Sequence, residues 1–552
     1  MKRYVFSQLL CLTLLLGFAP FVAQAQEGSV EVTTTYTPDI APASKLLAPT
    51  IIADDPRIDP DIAYQVTPSL WQISLDAHNF NPARASYWDY TNYKRLFAKA
   101  AVGYPLGSEA RLRYTLQTPK MGYFGVGIDH LGDFAARHSV TNVERPIAQS
   151  YTMNNRASIG GGLFVGNYLF EGLLTYDNNI YNSYAAETPD RSVFHNAGLG
   201  LKFGDEFVDL SRLNFSVEAH GGIWEHSLPA TESDILSEYR AGGSAKLARD
   251  FSGNRITIDL EADWWGGNRN ELCVGGSVGY ARRFGFFSVD ASLGYLYDKV
   301  REQDKTLPYI MARAKILFDL NKASFAPYIE LDTEVQHNNL SSLFRRNPYL
   351  DFAAIASEAT TIDNTLSYNL SLGFTGTLFS SRVAYHLFLG ANFMRDQLFW
   401  YITRPGMFGL KANNNNRFFV GLGTEIMPVA GLKIDLDFRY HFDNHSSEFE
   451  QSDPNMRGNI GVEYTLRKWK FYVKGDMIGA QKWSQLPTDE ATQISVVTMP
   501  LSFDLGLGVS YRINRSFELY VDGENLINSE IYDFANYYRQ GAGFMLGIKM
   551  DF

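Results

Sequence analysis

The sequence predicts an all-β protein: a large transmembrane antiparallel β-barrel of about 22 strands, preceded by a short extended N-terminal segment on the periplasmic side. Three observations carry this prediction. Residues 544–552 alternate strictly, with Phe544, Leu546, Ile548, Met550 and Phe552 on one face and Met545, Gly547, Lys549 and Asp551 on the other. A strand with lipid on one side and a wet lumen on the other reads this way. The same alternation recurs from Tyr93 onward in runs of about 10–13 residues, against ~5–6 for strands of globular sheets. The N-terminus reads as an export signal.

That signal comprises Lys2 and Arg3, an apolar run over 4–22, and Ala23-Gln24-Ala25 as an A-x-A cleavage site, so 1–25 is expected to be removed. Cys11 lies inside the apolar run, not after it, which excludes a lipoprotein anchor. Cleavage leaves Cys273 alone, so no intramolecular disulfide is expected. Cys273 sits in the strand pattern Leu272-Cys273-Val274 and reads as a small wall residue. Losing Lys2 and Arg3 takes the basic count from 49 to 47 against 60 acids, and the net charge from −11 to −13. This argues against nucleic acid as a partner. No stretch of the mature chain approaches the ~20 continuous apolar residues of a membrane helix. Aromatics at 14% and 46 glycines suit interfacial girdles and small lumenal positions.

Residues 26–92 are rich in Thr, Pro, Asp and Ala (Thr33-Thr34-Thr35-Tyr36-Thr37-Pro38, Asp54-Asp55-Pro56) and read as an extended periplasmic or lumenal segment. Residues 93–552 form the barrel. Leu432, Ile434, Leu436, Phe438, Tyr440 and Phe442 alternate with Lys433, Asp435, Asp437, Arg439 and His441. Ile256 to Trp264 and Leu501 to Tyr511 repeat the pattern. Tight turns are expected at 165–168, 250–254, 283–284, 319–323, 379–381, 428–431, 467–468 and 514–516. Longer connections are expected at 132–153, 179–192, 223–236, 338–365, 397–415, 444–456, 480–497 and 527–540. Short turns face the periplasm in outer-membrane barrels and long loops face outward.

The run from Phe517 to Asn528, ending Asn525-Leu526-Ile527-Asn528, then Tyr532 and Gln540-Gly541-Ala542-Gly543 before the last strand, resembles the end of TonB-dependent receptors. The resemblance implies a large outer-membrane barrel serving transport, with membrane lipid and, through Phe544, Leu546, Ile548, Met550 and Phe552, the barrel-assembly machinery as partners. It also implies TonB, or a periplasmic or lipoprotein partner. Ser29-Val30-Glu31-Val32-Thr33 resembles a TonB box. The family's folded plug is considerably longer than residues 26–92. Through its Val30-to-Pro38 start and its first hairpin, Phe97 to Pro105, the chain resembles a plug-less branch of these barrels, whose activity is not defined.

Enzymatic signals are weak, and no enzyme, cofactor or metal site is expected. Gly275-Gly276-Ser277-Val278-Gly279 matches a nucleophile elbow by letter, but it lies inside an alternating strand and lacks the strand-to-helix turn the chemistry needs. The ten histidines show no metal spacing. Glu330, Asp332 and Glu334 share one face, with Arg313 and Lys315 on the preceding strand. They read either as cross-strand ion pairs, with Arg313 near Glu330, or as a charged lumenal strip that attracts cations. Asp259, Glu261 and Asp263 are open to the same two readings. The connection 338–365 carries Leu343, Phe344, Arg345, Arg346, Tyr349, Leu350 and Phe352. Such a loop packs on its neighbours, binds something, or folds over the lumen. Asn413 to Asn416 read as a loop tip. The functional expectation is transport across the outer membrane. The alternative is a non-conducting scaffold that binds partner proteins in envelope assembly or export.

Overall fold

Alternating apolar and polar residues can bury nothing on their outer face in water, but they suit a wall between lipid and lumen. The computed structural model, which describes residues 94–552 apart from 119–120, 139–146, 187–188, 228–234, 301–305, 320–323, 352–354, 356–361, 380, 445–448, 451 and 487–493, builds that wall. The expected signal segment, residues 26–92 and the TonB-box-like Val30, Glu31, Val32 and Thr33 lie outside the described residues, as does Phe352.

Twenty-two antiparallel strands close into a barrel, from Leu96–Tyr104 to Gly543–Asp551. The first strand pairs with Gly107–Thr118 on one side and with the last strand on the other, Phe97 opposite Asp551 and Tyr104 opposite Phe544. The same sheet takes in two further strands, Gln481–Gln485 and Ser495–Met499, a hairpin in the connection before Ser502–Arg512. Both termini of the wall lie at one rim. That rim also carries the tight turns, including Ser252-Gly253, where both central residues have positive φ (55° and 84°), as a two-residue hairpin of matching twist requires. The connection 205–213 lies at the same rim, fixed by the Asp205–Arg212 pair at 2.7 Å.

The outer surface is the apolar face: Phe544, Leu546, Leu293, Ile256 and Phe442 are exposed there. An aromatic band marks the tight-turn rim, with ring pairs Trp469–Tyr511 (4.6 Å), Phe284–Phe287 (5.1 Å) and Phe517–Phe552 (5.2 Å). The inner face is polar and crowded at the closing seam. Gly547 sits opposite Tyr520, and a β-carbon there would collide with the Tyr520 ring. Lys99 and Lys549 flank that ring at 4.9 and 4.8 Å from its centre. Each lysine also holds an acid on a neighbouring strand, Glu109 at 2.7 Å and Glu518 at 3.0 Å.

Gly275 to Gly279 lie within the strand Glu271–Phe284, and Cys273 is a buried wall residue of that strand. Two expected loops are strands instead. Residues 397–415 belong to a hairpin of Val383–Arg404 and Met407–Ile426, with its tip at Pro405-Gly406, and 480–497 include the hairpin just described. Asn413 to Asn416 therefore lie inside a strand, where the Asn415 amide donates to Gln397 Oε1 at 2.8 Å. The turn expected at Arg283–Phe284 falls at Gly285-Phe286.

Candidate functional site

The lumenal wall brings the expected charged residues together, with a shifted register. Lys315 stands opposite Glu330, with Nζ 3.3 Å from its carboxylate, and Arg313 reaches Asp332 at 3.8 Å. The expected Arg313–Glu330 contact is thus displaced by two residues, because the connection 319–325 is longer than the tight turn assumed. Glu334 lies further along, opposite Ser367, and is exposed. Asp263 holds His220 (2.6 Å) and Arg240 (3.3 Å), and Asp259 faces Lys246 at 3.7 Å. Cross-strand ion pairs therefore line much of the lumen.

The outer rim is where the chain departs from a plain barrel. Asn338 to Thr365 leave the strand Ala326–Gln336 and form a short helix, α1 (Leu340–Arg346). Leu340, Leu343 and Phe344 have the i, i+3, i+4 spacing of one helix face, and all are buried. The helix start is capped twice. Asn339 accepts from Ser342 N at 2.9 Å, and the Glu238 carboxylate, from a different wall strand, accepts from Leu340 N and Ser341 Oγ at 2.8 Å each.

Phe344 packs against Phe194 and Trp224, ring centres 5.6 Å away in each case. Tyr349 stacks on Tyr537 at 3.5 Å and meets Tyr181 edge-on at 5.5 Å. Leu350 and Asp351 run beside the 383–426 hairpin, Asp351 N donating to Phe408 O at 2.7 Å. Arg404 pairs with Asp351 at 3.2 Å. The hairpin tip lies over the connection 183–186, where a β-carbon on Gly406 would strike Ala185, and Tyr537 Oη donates to Gly406 O at 2.8 Å. One apolar cluster thus takes side chains from 181–194, 224–236, 340–362, 398–410, 483–499 and 535–537. Those segments come from strands all around the ring. For them to touch, the loops must lean across the mouth as a roof.

The stem of the roof is polar. His337 and Asn364 flank the 338–365 connection and converge on Glu271. His337 Nδ1 lies 2.9 Å from Glu271 Oε1, and Asn364 donates to Glu271 Oε1 (2.7 Å) and to Asp298 Oδ2 (2.6 Å). Arg269 donates from Nε to Glu271 Oε2 (3.1 Å) and from a terminal nitrogen to Ile362 O (2.8 Å). The side chains of Arg269 and Glu271 are wholly inaccessible. Arg346 NH2 donates to Asn338 Oδ1 at 2.7 Å. Burial alone would pull the His337 pKa down. The Glu271 hydrogen bond and charge, then Asp298 and Asp263, outweigh it and leave the imidazole above its ordinary value.

Sequence reading singled out Leu343, Phe344, Tyr349 and Leu350 but not Arg269, Glu271, Asp298, His337 or Asn364. The available signal was faint: Glu271 and Asp298 end their lumenal faces near the outer rim. Among the described residues no group of histidine, cysteine and acid side chains has the geometry of a metal site.

The fold defines a class: a 22-stranded barrel of the outer-membrane type, its mouth crossed by its own loops. Among solved structures the chain is similar to the copper transporter OprC, at 12% identity over 83% of this chain and 81% of that one, TM-score 0.65. It is similar to the FrpB iron transporter from Neisseria meningitidis, at 9% identity over 83% and 81%, TM-score 0.64. It is also similar to the pyoverdine outer membrane receptor FpvA from Pseudomonas aeruginosa, at 10% identity over 83% and 79%, TM-score 0.61. At these identities the likeness is one of fold. No protein-family model matches the chain, and no curated protein matches it by sequence.

Proposed function

We propose that this protein serves transport across the outer membrane as a TonB-dependent-receptor-like barrel of the plug-less kind, its outer mouth gated by the 338–365 roof. The observation that carries the reading is a charge-lined lumen beneath a roof tied down by a polar stem. In this reading Arg313, Lys315, Glu330, Asp332 and Glu334 form part of the solute path. Val30, Glu31, Val32 and Thr33 engage TonB or another periplasmic partner. Phe544, Leu546, Ile548, Met550 and Phe552 address the assembly machinery. No residue in it has an enzymatic role. Fold likeness to barrels described as copper, iron and pyoverdine transporters or receptors supports the transport reading.

The test is conductance in planar bilayers, for the full chain and for a variant in which 340–350 is replaced by a short Gly-Ser link. Low conductance in the first and open channels in the second are expected. If the roofless barrel also fails to conduct, and the full chain co-purifies stoichiometrically with another protein, the scaffold reading replaces transport. The buried apolar cluster that joins the outer connections is the observation that favours that second reading.

A further inference from the structure

We propose that the joint between the wall strands Thr306–Phe318 and Ala326–Gln336 is a lateral cleft in the outer half of the wall that receives an acyl chain of a membrane lipid. The two strands pair at four positions, from Ala314 opposite Leu331 to Leu317 opposite Tyr328, all at the end nearer the 319–325 connection. Their other edges pair over thirteen positions with Phe287–Val300 and eleven with Thr365–Leu378. Beyond Ala314 the ladder stops. Where the Thr333 backbone would exchange two bonds with Ala312, its hydroxyl does so instead, accepting from Ala312 N at 3.1 Å and donating to Ala312 O at 2.9 Å. By alternation the backbone groups of Ile310 and Pro308 face the joint next. Ile310 O is met by Tyr368 Oη at 3.5 Å, the limit of a hydrogen bond, and Pro308 has no N–H. A proline suits an edge left open, since it leaves no donor unpaired there.

The side chains follow the break. One buried cluster joins Trp265, Leu296 and Tyr309, which alternate onto the lumenal face, to Val335, Leu366 and Tyr368, which alternate onto the lipid face. Side chains from opposite faces of a sheet meet only where its strands part. Leu366 is 4% exposed, although Leu370 and Leu372 on the same face lie open to lipid. Parting fully laddered strands in hydrocarbon leaves N–H and C=O groups without partners. Here apolar contact closes the joint, and an acyl chain replaces it at little loss, because lipid tails are as apolar as these side chains. On the lumenal side Arg313 and Asp332 span the joint at 3.8 Å, both well exposed, so the pair holds it weakly. Tyr295 and Ile310 are exposed on the outer face beside it, which makes membrane lipid the neighbouring molecule. The Tyr309 hydroxyl is buried without a hydrogen-bond partner among the described residues, and an ester carbonyl at the head of the chain can accept from it.

The cleft stands apart from the transport reading, and its test reads lipid contact alone. The full chain is reconstituted in phosphatidylcholine vesicles whose acyl chains carry a diazirine, irradiated, and mapped to the residue by tandem mass spectrometry. Ala312→Cys/Thr333→Cys, in a Cys273→Ala background, places two thiols across the joint, where a disulfide locks it. With the thiols reduced, label is expected on lumen-facing Leu296 and Tyr309 as well as on outward-facing Leu293 and Tyr295. Oxidation is expected to cut label on the first pair at least fivefold and leave the second unchanged. Thr333→Val, which removes the hydroxyl clasp, is expected to raise label on the first pair at least threefold over the parent. Gel mobility before and after boiling reports whether each barrel is folded. Should the double variant not fold or not oxidise, the comparison of Thr333→Val with the parent decides. Absence of label on Leu296 and Tyr309 in the reduced form, equal label in the reduced and oxidised forms, or no rise in Thr333→Val would overturn the proposal.

Discussion

Glu271→Gln should release the roof while leaving the wall intact. The carboxylate accepts hydrogen bonds from Arg269 (3.1 Å) and Asn364 (2.7 Å) and holds His337 at 2.9 Å, wholly out of solvent. Glutamine keeps the volume, removes the charge, and turns an amide donor toward one of these donors. Breaking a buried pair by removing one partner costs about 3–5 kcal/mol. Asp298 stays in place through Asn364, which argues for the lower end. A loss of ~3 kcal/mol raises the open population roughly 100-fold, at 1.4 kcal/mol per decade. The cost falls on the roof because these groups tie loop stems, whereas every wall strand keeps its ladder. Hydrogen–deuterium exchange resolves the two. Amides of Asn347 and Asp351, which donate to Leu343 O and Phe408 O, should exchange about 100-fold faster. Those of the strand Phe287–Val300 should be unchanged. Equal protection in parent and variant at 337–351 would refute the reasoning, as would loss of protection throughout the wall.

Three further outcomes are expected. His337 has its pKa raised in the closed roof, so the closed form binds more protons than the open form around neutrality. Its stabilising contribution is complete below the ordinary value of about 6.5 and is lost as pH rises through the raised value. Exchange at 337–351 should therefore quicken from pH 6 to pH 8 beyond the intrinsic chemical rate, and His337→Gln should abolish that excess. Phe344→Ala leaves a space beside the stacked Phe194 and Trp224 rings and should cost the roof about 3–5 kcal/mol, read as faster exchange of the same amides. Gly547→Val meets the Tyr520 ring at the seam and should lower the temperature at which the barrel loses its compact gel mobility, whereas Gly200→Ala, where a β-carbon has nothing within 4 Å, should shift it far less.

The wall was legible in the sequence because lipid imposes a simple rule on it. Leu432 to Phe442 and Phe544 to Phe552 alternate for that reason, and counting such runs back from the C-terminus reaches the observed strand number. The rule stops at the edge of the bilayer. Leu398, Phe399, Tyr401 and Ile402 are all buried, on both faces of one strand, since roof packing covers what lipid would otherwise touch. Their alternation is lost, and the hairpin reads as a loop. The apolar content of 338–365 was visible, and packing against neighbouring loops was among its readings. The stem was not visible: Glu271 and Asn364 are 93 residues apart and meet only because the chain returns across several strands. The Arg313 partner was displaced by the length of one turn, which alternation leaves undetermined, since a shift of two residues keeps every side chain on its face.

The seam between Leu96–Tyr104 and Gly543–Asp551 also sets a timetable. Each neighbouring hairpin can form as soon as its second strand exists, but the first strand must wait for the last. Until Gly543–Asp551 pairs with Leu96–Tyr104, the sheet has two edges with unmade hydrogen bonds. That exposure to wrong partners ends at a single step, the pairing of these two strands. Both open edges therefore disappear together, when the eight positions from Phe97 to Tyr104 meet those from Asp551 to Phe544.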